Sequence, residues 1–180
     1  SGSKLTGRHN LANLLAAVAA AEAFGLGAAQ IEAGIAAFKG LPHRCEFVAE
    51  VSGVSYFDDS KGTNVGAVCE SLKGFAGPVI LVAGGVSKHG SYAPLVEAAR
   101  GRVRAALLIG EAAAEMAEAL SEVCPSEQLG SIEDAVARAA ALAESGDVVL
   151  LSPACASFDM FRNYAERGDR FASAVRGLAA

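Results

Sequence analysis

The chain has no tryptophan, and charged residues fill only 19% of its 180 positions. Although 52% of it is hydrophobic, no uninterrupted apolar run approaches the ~20 residues that a membrane-spanning helix needs. The start, Ser1-Gly2-Ser3-Lys4, is polar and leads into no apolar core segment, so no secretory signal is read there. It also lacks an initiating Met; Ser1 to Ser3 read as a tag remnant, and the chain is expected to begin inside a longer protein. The four cysteines, Cys45, Cys69, Cys124 and Cys155, are scattered and form no C-x-x-C pair. They are expected to be free thiols in a reducing cytoplasm. A formal net charge of −5 with no local basic stripe argues against nucleic acid as a partner. There is no H-E-x-x-H and no Cys/His ligand spacing, so no metal ligands are assigned. A phosphate loop of the form G-x-x-x-x-G-K-[ST] is missing too, as is a G-x-G-x-x-G after the first strand, which excludes a self-sufficient nucleotide enzyme of either kind. What is left is a compact protein for small molecules, without a membrane partner and expected to be monomeric.

What is present begins as helices. An alanine-rich stretch from Leu14 to Phe24 ends at Gly25 and Gly27, and a second helix runs from Ala28 to Phe38, with Ile31, Ile35 and Phe38 on one face. No strand accompanies this pair, so its apolar faces need another partner. From Cys45 the period changes to two: Phe47–Val51 and Val54–Phe57 flank Ser52-Gly53, a hairpin turn. Thereafter strands and helices alternate. Strands are expected at Val79–Ala83, Val103–Ile109, around Gln128-Leu129 and at Val148–Leu151. Helices are expected near Pro94–Ala99, and at Glu111–Leu120, Ile132–Ala143 and Asp159–Leu178. That alternation predicts a Rossmann-like doubly wound α/β fold, with a largely parallel sheet entered through a β-hairpin and a helical pair in front. Domains are placed at residues 1–43 and 44–180.

In such sheets ligands bind outside the carboxyl ends of the strands, and three strand-to-helix junctions here are unusually polar. The first is Asp58-Asp59-Ser60-Lys61-Gly62-Thr63-Asn64, with a helix starting near Thr63 or Asn64. It reads either as a capped turn or as an anion site built from helix N–H groups, the Thr63 hydroxyl and the Lys61 ammonium. The second is Gly84-Gly85-Val86-Ser87-Lys88-His89-Gly90, where paired glycines admit close backbone approach and Lys88 adds charge; a plain surface loop is the competing reading. The third is Leu151-Ser152-Pro153-Ala154-Cys155-Ala156-Ser157-Phe158-Asp159. No oriented His accompanies Cys155, so it reads as a structural thiol rather than a nucleophile, and Ser157 reads as a helix cap, a ligand contact, or both. Together Lys61, Lys88, Thr63 and Ser157 suit a small carboxylate-bearing substrate.

Five segments in order now resemble a known family: Gly7-Arg8-His9-Asn10-Leu11-Ala12-Asn13, Leu41-Pro42-His43-Arg44-Cys45-Glu46, Asp58 to Asn64, Gly84-Gly85 with Lys88, and Ser152 to Phe161. They are similar to the Mur ligases, which build the peptide stem of bacterial cell-wall precursors. The segments from Asp59 to Asn64 and from Ser152 to Ser157 point to the D-glutamate-adding branch, and the latter disfavours a folylpolyglutamate-type relative. The family has three domains, and the chain resembles the last one plus the final two helices of the central ATPase. The missing phosphate loop would then lie upstream.

The resemblance implies a cytoplasmic, ATP-dependent reaction that joins D-glutamate to UDP-N-acetylmuramoyl-L-alanine through an acyl phosphate, with Mg2+ held in the absent part. It implies that Asn10 and Asn13 contact adenine, and that Arg44, with His43 beside it, holds ATP phosphates. Asp59 would contact the nucleotide. Lys61, Thr63, Lys88, Ser157 and Phe158 would grip the glutamate carboxylates, Phe158 through its backbone N–H, with Lys61 the residue most involved in catalysis. Tyr164 stands where the family commonly has Phe beside that ligand. Alone, the chain is expected to bind weakly and turn nothing over.

Overall fold

The computed structural model describes residues 8–38 and 40–178, with side chains from residue 11 onward. The chain divides into two compact units, Ser1–Pro42 and His43–Ala180.

The first unit is a pair of helices, α1 (Arg8–Ala23) and α2 (Ala28–Ala37), joined through Gly25 in the left-handed region. Alanine favours helix in both stretches, yet α2 has no buried residue. The pair encloses an apolar groove of about 480 Å³, to which Leu14, Val18, Ile31, Ile35 and Phe38 contribute. Leu15 and Phe24 stand 60% and 89% exposed.

The second unit is built on a six-stranded sheet. Its strands are β1 (Glu46–Val51), β2 (Val54–Asp58), β3 (Val79–Gly84), β4 (Val103–Ile109), β5 (Ser126–Leu129) and β6 (Val148–Leu151). Ser52 and Gly53 both take positive φ, the backbone of a two-residue turn whose twist matches the flanking strands, and this makes β1 and β2 an antiparallel hairpin. The other pairings are parallel, in the order β1-β2-β6-β3-β4-β5. The last strand in sequence therefore slots between β2 and β3.

Helices α3 (Val65–Leu72), α4 (Ala93–Ala99) and α5 (Ala113–Leu120) cover one face of the sheet, and α6 (Ile132–Leu142) and α7 (Tyr164–Gly177) cover the other. The central strand β3 shows why both faces must be covered. Val79, Leu81 and Ala83 enter one core while Ile80 and Val82 enter the other, all at 0% exposure. Each large side chain so buried is worth about 1.5–3 kcal/mol.

The elements match the expected alternation, with one shift of consequence. The final helix begins at Tyr164, not Asp159, because Asn163 caps it: the Asn163 side chain accepts from Glu166 N–H at 2.9 Å. The preceding residues form a turn in which Met160 and Phe161 N–H groups donate to the Ser157 carbonyl at 3.2 and 2.8 Å. Ser157 is thus a turn residue and does not cap α7.

Candidate functional site

The inserted position of β6 decides the layout of the site. With β2, β6 and β3 adjacent, the three polar junctions leave neighbouring strands at one sheet edge. Backbone hydrogen bonds stitch them together. Ala154 N–H donates to Gly62 O at 2.9 Å, Gly84 N–H donates to Pro153 O at 2.9 Å, and Val86 and Ala156 form an antiparallel bridge. The close approach needs glycine. Gly84 and Gly85 both take positive φ, and a Cβ on them would collide with the carbonyl oxygens of Ile109 and Ala156.

Between the first and second junctions lies a cavity of about 270 Å³, lined by Asn64, Val65, Gly66, Ser87, Lys88 and Tyr92 among others. It is smaller than the usual drug-sized site and suits a small metabolite. Helix α3 points its N-terminus at this cavity. Asn64 caps it, its side chain accepting from Ala67 N–H at 2.9 Å, and the first turn offers backbone N–H groups to an anion. Lys88 Nζ donates to Thr63 Oγ1 at 3.4 Å, so these two expected ligand groups do meet. Lys61 Nζ lies 3.8 Å from the centroid of the Tyr164 ring, a cation–π contact that parks the ammonium beside the same junction. Ser157 is buried and Phe158 is 74% exposed, at the far side of the third junction.

His43 and Arg44 begin the second unit in a tight backbone. His43 and Cys45 hold φ of 60° and 45°, with Arg44 exposed between them. Strain of this kind persists only where the surroundings over-determine it. Here Lys61 N–H donates to His43 O at 3.0 Å, and His43 Nδ1 pairs with Asp58 Oδ2 at 2.7 Å. The His43 ring also meets Tyr164 edge-on at 6.0 Å. Burial pushes the Asp58 carboxyl above its ordinary range, partly offset by the His43 and Ser60 N–H hydrogen bonds. Glu46 completes a His43–Glu46–Asp58 group whose possible ligand atoms lie within 4.8 Å of one another. The Glu46 carboxylate accepts from His43 N–H at 2.9 Å, so hydrogen bonds account for this group without an ion.

Asp59, expected at the nucleotide, is turned inward. Its Oδ2 accepts from Ser71 and Ser152 hydroxyls, each at 2.7 Å, and Oδ1 accepts from Cys45 N–H at 3.3 Å. Burial raises its pKa despite these donors. Cys155 is likewise inward, its thiol 3.6 Å from the Tyr92 hydroxyl and its pKa raised by burial, as befits a structural thiol. All four cysteines are free. In the first unit Asn13 is exposed on α1 at the rim of the apolar groove, and the Asn10 side chain lies outside the described residues.

One buried residue escaped the sequence reading. Arg167 on α7 is 0% exposed and donates to Ser60, Gly84 and Cys155. The signal was available. Arg167, Phe171 and Val175 recur at i, i+4 and i+8 on the buried stripe of α7, a place that normally takes apolar residues.

Comparison with known proteins now adds to this geometry. Residues 43–155 match the family model described as Mur ligase, glutamate ligase domain. The chain belongs to the Mur ligase family. It is 49% identical over 176 residues to the UDP-N-acetylmuramoylalanine–D-glutamate ligase of Geotalea daltonii, covering 98% of this chain and 39% of that protein. Against the same-named ligase of Nitrosococcus oceani the identity is 49%, covering 97% and 39%. The chain thus spans about two fifths of the length of these relatives. Among solved structures, the UDP-N-acetylmuramate-alanine ligase of Thermotoga maritima superposes with a TM-score of 0.71 at 13% identity, over 97% of this chain and 39% of that one. The MurF ligase of the same organism, solved with ADP, gives 0.65 at 21%, over 94% and 38%. At such identities these Mur ligase neighbours share the fold. No helix among the described residues is long and apolar enough to cross a membrane.

Proposed function

We propose that this chain is the amino-acid-binding part of a cytoplasmic ligase that joins D-glutamate to UDP-N-acetylmuramoyl-L-alanine at the expense of ATP, and that the residues before His43 belong to the adjoining ATPase domain. The observation that carries the reading is the edge where β2, β6 and β3 end. There Lys88 and the first residues of α3 line a small cavity, Thr63 touches Lys88, and Lys61 stands on the same junction against Tyr164. The 49% identity to ligases named for that reaction supports it over nearly the whole chain.

In this reading the physical problem is one of charge. A dianionic amino acid must be held against an acyl phosphate derived from a polyanionic nucleotide sugar, with its amine free to attack. Lys61, Lys88 and Thr63, with Ser157 and the backbone N–H of Phe158, hold the two glutamate carboxylates and so orient the amine. Arg44 and His43 neutralise phosphate charge, and Asn10 and Asn13 contact adenine. The amine adds to the acyl carbon, forming the C–N bond and giving up a proton to solvent, and the tetrahedral intermediate collapses by breaking the carbon–oxygen bond to phosphate, which leaves as inorganic phosphate. Mg2+ would supply charge neutralisation at the transferring phosphoryl group. The His43–Glu46–Asp58 group is internally hydrogen-bonded and is a poor host for it, so the ion belongs to the rest of the enzyme.

The test is phosphate release by the full-length protein with UDP-N-acetylmuramoyl-L-alanine, ATP and either enantiomer of glutamate. Release is expected with D-glutamate and not with L-glutamate. Equal release with both, or with neither, refutes the assignment. The 180-residue chain alone is expected to hydrolyse no ATP.

A further inference from the structure

Three segments from distant parts of the sequence shape the substrate edge, and one side chain touches all of them. The Arg167 guanidinium donates through Nε to Ser60 Oγ at 2.9 Å and through Nη2 to Ser60 O at 2.9 Å. It donates to Cys155 O through Nη1 at 3.3 Å and Nη2 at 3.4 Å, and to Gly84 O through Nη1 at 3.5 Å. Ser60 precedes Lys61, Gly84 begins the loop that carries Lys88, and Cys155 lies two residues before Ser157. The planar fork thus fixes the mutual spacing of the three groups of ligand-holding residues, and Lys, with a single point of charge, lacks that geometry.

The electrostatics are unusual. Every acceptor is a neutral oxygen, and no carboxylate is hydrogen-bonded to Arg167 among the described residues; the groups that act on it electrostatically are Cys155 first, then Asp159 and Asp58. Burial lowers its pKa to about 10, which still leaves the group charged at neutral pH. A buried, unpaired cation is costly, and an apolar residue of similar volume normally serves a core better. Its place one turn below Phe171 on an otherwise apolar stripe makes Arg167 a poor choice for stability alone.

We infer that Arg167 is a positioning residue for the anionic substrate: it clasps the three junctions at their working separation and lends its charge to the edge that receives the amino-acid carboxylates. The inference rests on the proposed ligase reading and specifies what orders its binding edge.

The experiment uses the full-length enzyme and its Arg167→Lys and Arg167→Met variants. For each, kcat and the separate KM values for D-glutamate, ATP and UDP-N-acetylmuramoyl-L-alanine are measured alongside the melting temperature. Arg167→Met, which loses both fork and charge, should raise the KM for D-glutamate by about tenfold or more. Arg167→Lys, which keeps the charge, should fall between it and the wild type, and the KM for the nucleotide sugar should stay near its wild-type value in both. If Arg167→Met does not fold, Arg167→Lys assayed below its melting temperature decides: an unchanged KM for D-glutamate overturns the inference. So does a fall in kcat alone, or a parallel rise in all three KM values, since either marks a purely structural clasp. A wild-type enzyme without D-glutamate-dependent turnover overturns the ligase reading itself, and this inference with it.

Discussion

The two units of the chain use similar apolar residues to opposite ends. In Ser1–Pro42, Leu11, Leu15 and Phe24 stand on α1 and its exit with more than half their surface exposed, and nothing in α2 is buried. In His43–Ala180, Leu81, Leu108 and Leu150 are at 0% exposure. The difference lies in architecture and not in composition. A sheet covered on both faces turns all of a central strand such as β3 into core, whereas two helices alone can bury only the seam between them. Among the described residues, side-chain caps occur only in part of the second unit, since α4 and α5 lack them as α2 does. Helices α3, α6 and α7 have Asn64, Ser131 and Asn163 as side-chain caps, while α2 starts at Gly27 with no side chain to cap it. An apolar face of this extent marks a surface that something covers. The proposed ATPase domain would supply that cover.

The sharpest way to break this comparison is a matched pair of truncations in the 180-residue chain. Leu81→Ala should cost about 2–5 kcal/mol through lost burial and a residual cavity, whereas Leu15→Ala should stay within about 0.5 kcal/mol of wild type. Urea denaturation followed by circular dichroism measures both. A Leu15→Ala cost comparable to that of Leu81→Ala would mean that the first unit has a core of its own.

Function should divide along the same line. In the full-length enzyme Lys61→Ala is expected to cost roughly 2–4 kcal/mol in kcat/KM for D-glutamate, the value of a charge-assisted contact in a desolvated site. Asn13→Ala should instead raise the KM for ATP. An unchanged kcat/KM in Lys61→Ala would reduce Lys61 to a side chain resting on Tyr164. A smaller effect is expected at Asn64, whose cap both starts α3 and aims it at the cavity. Asn64→Ala should cost about 1 kcal/mol of stability by the same denaturation assay, and a cost near zero would show that tertiary packing alone holds that helix end.

Much of this arrangement was legible in the sequence. Period-two and helical patterns give the alternation, and Ser52-Gly53 gives the hairpin. The strand ends give Lys61, Thr63 and Lys88, the last two of which the structure brings into contact. What local patterns could not convey was order in space. That β6 lies between β2 and β3 is a non-local fact, and without it the third junction has no neighbours. The start of α7 lies later than the pattern suggests because Ser157 and Asn163 are both good caps, and while the Ser157 carbonyl closes a local turn it is the Asn163 side chain that caps the helix. The sequence marks Asp59 as a nucleotide contact but does not reveal its hydrogen bonds to Ser71 and Ser152, because an Asp at a strand end looks alike whether or not it also holds buried hydroxyls.

The smallest predicted effect tests the buried chemistry that only the second unit possesses. Among the described residues the buried carboxyls, Asp58, Asp59 and Asp147, all lie in His43–Ala180. Two forces compete at Asp58: burial favours the neutral acid, while the His43 and Ser60 hydrogen bonds favour the carboxylate, and burial prevails. The native state therefore binds this proton more tightly than the unfolded chain does. Its contribution to stability is complete below the ordinary carboxylate value near 4 and is lost as pH rises through the elevated native value. The advantage of wild type over Asp58→Asn should accordingly shrink as pH is raised from about 4 towards neutrality. Surface carboxylates shifted the other way, such as Glu127 and Glu166, cancel in that difference. Asp59 does not cancel, because the Asp58 charge helps to raise it, so the measured slope belongs to the coupled pair. Denaturant midpoints for the two proteins across this pH range measure the slope. A difference that grows with pH would mean that the His43 contact outweighs burial and holds Asp58 ionised.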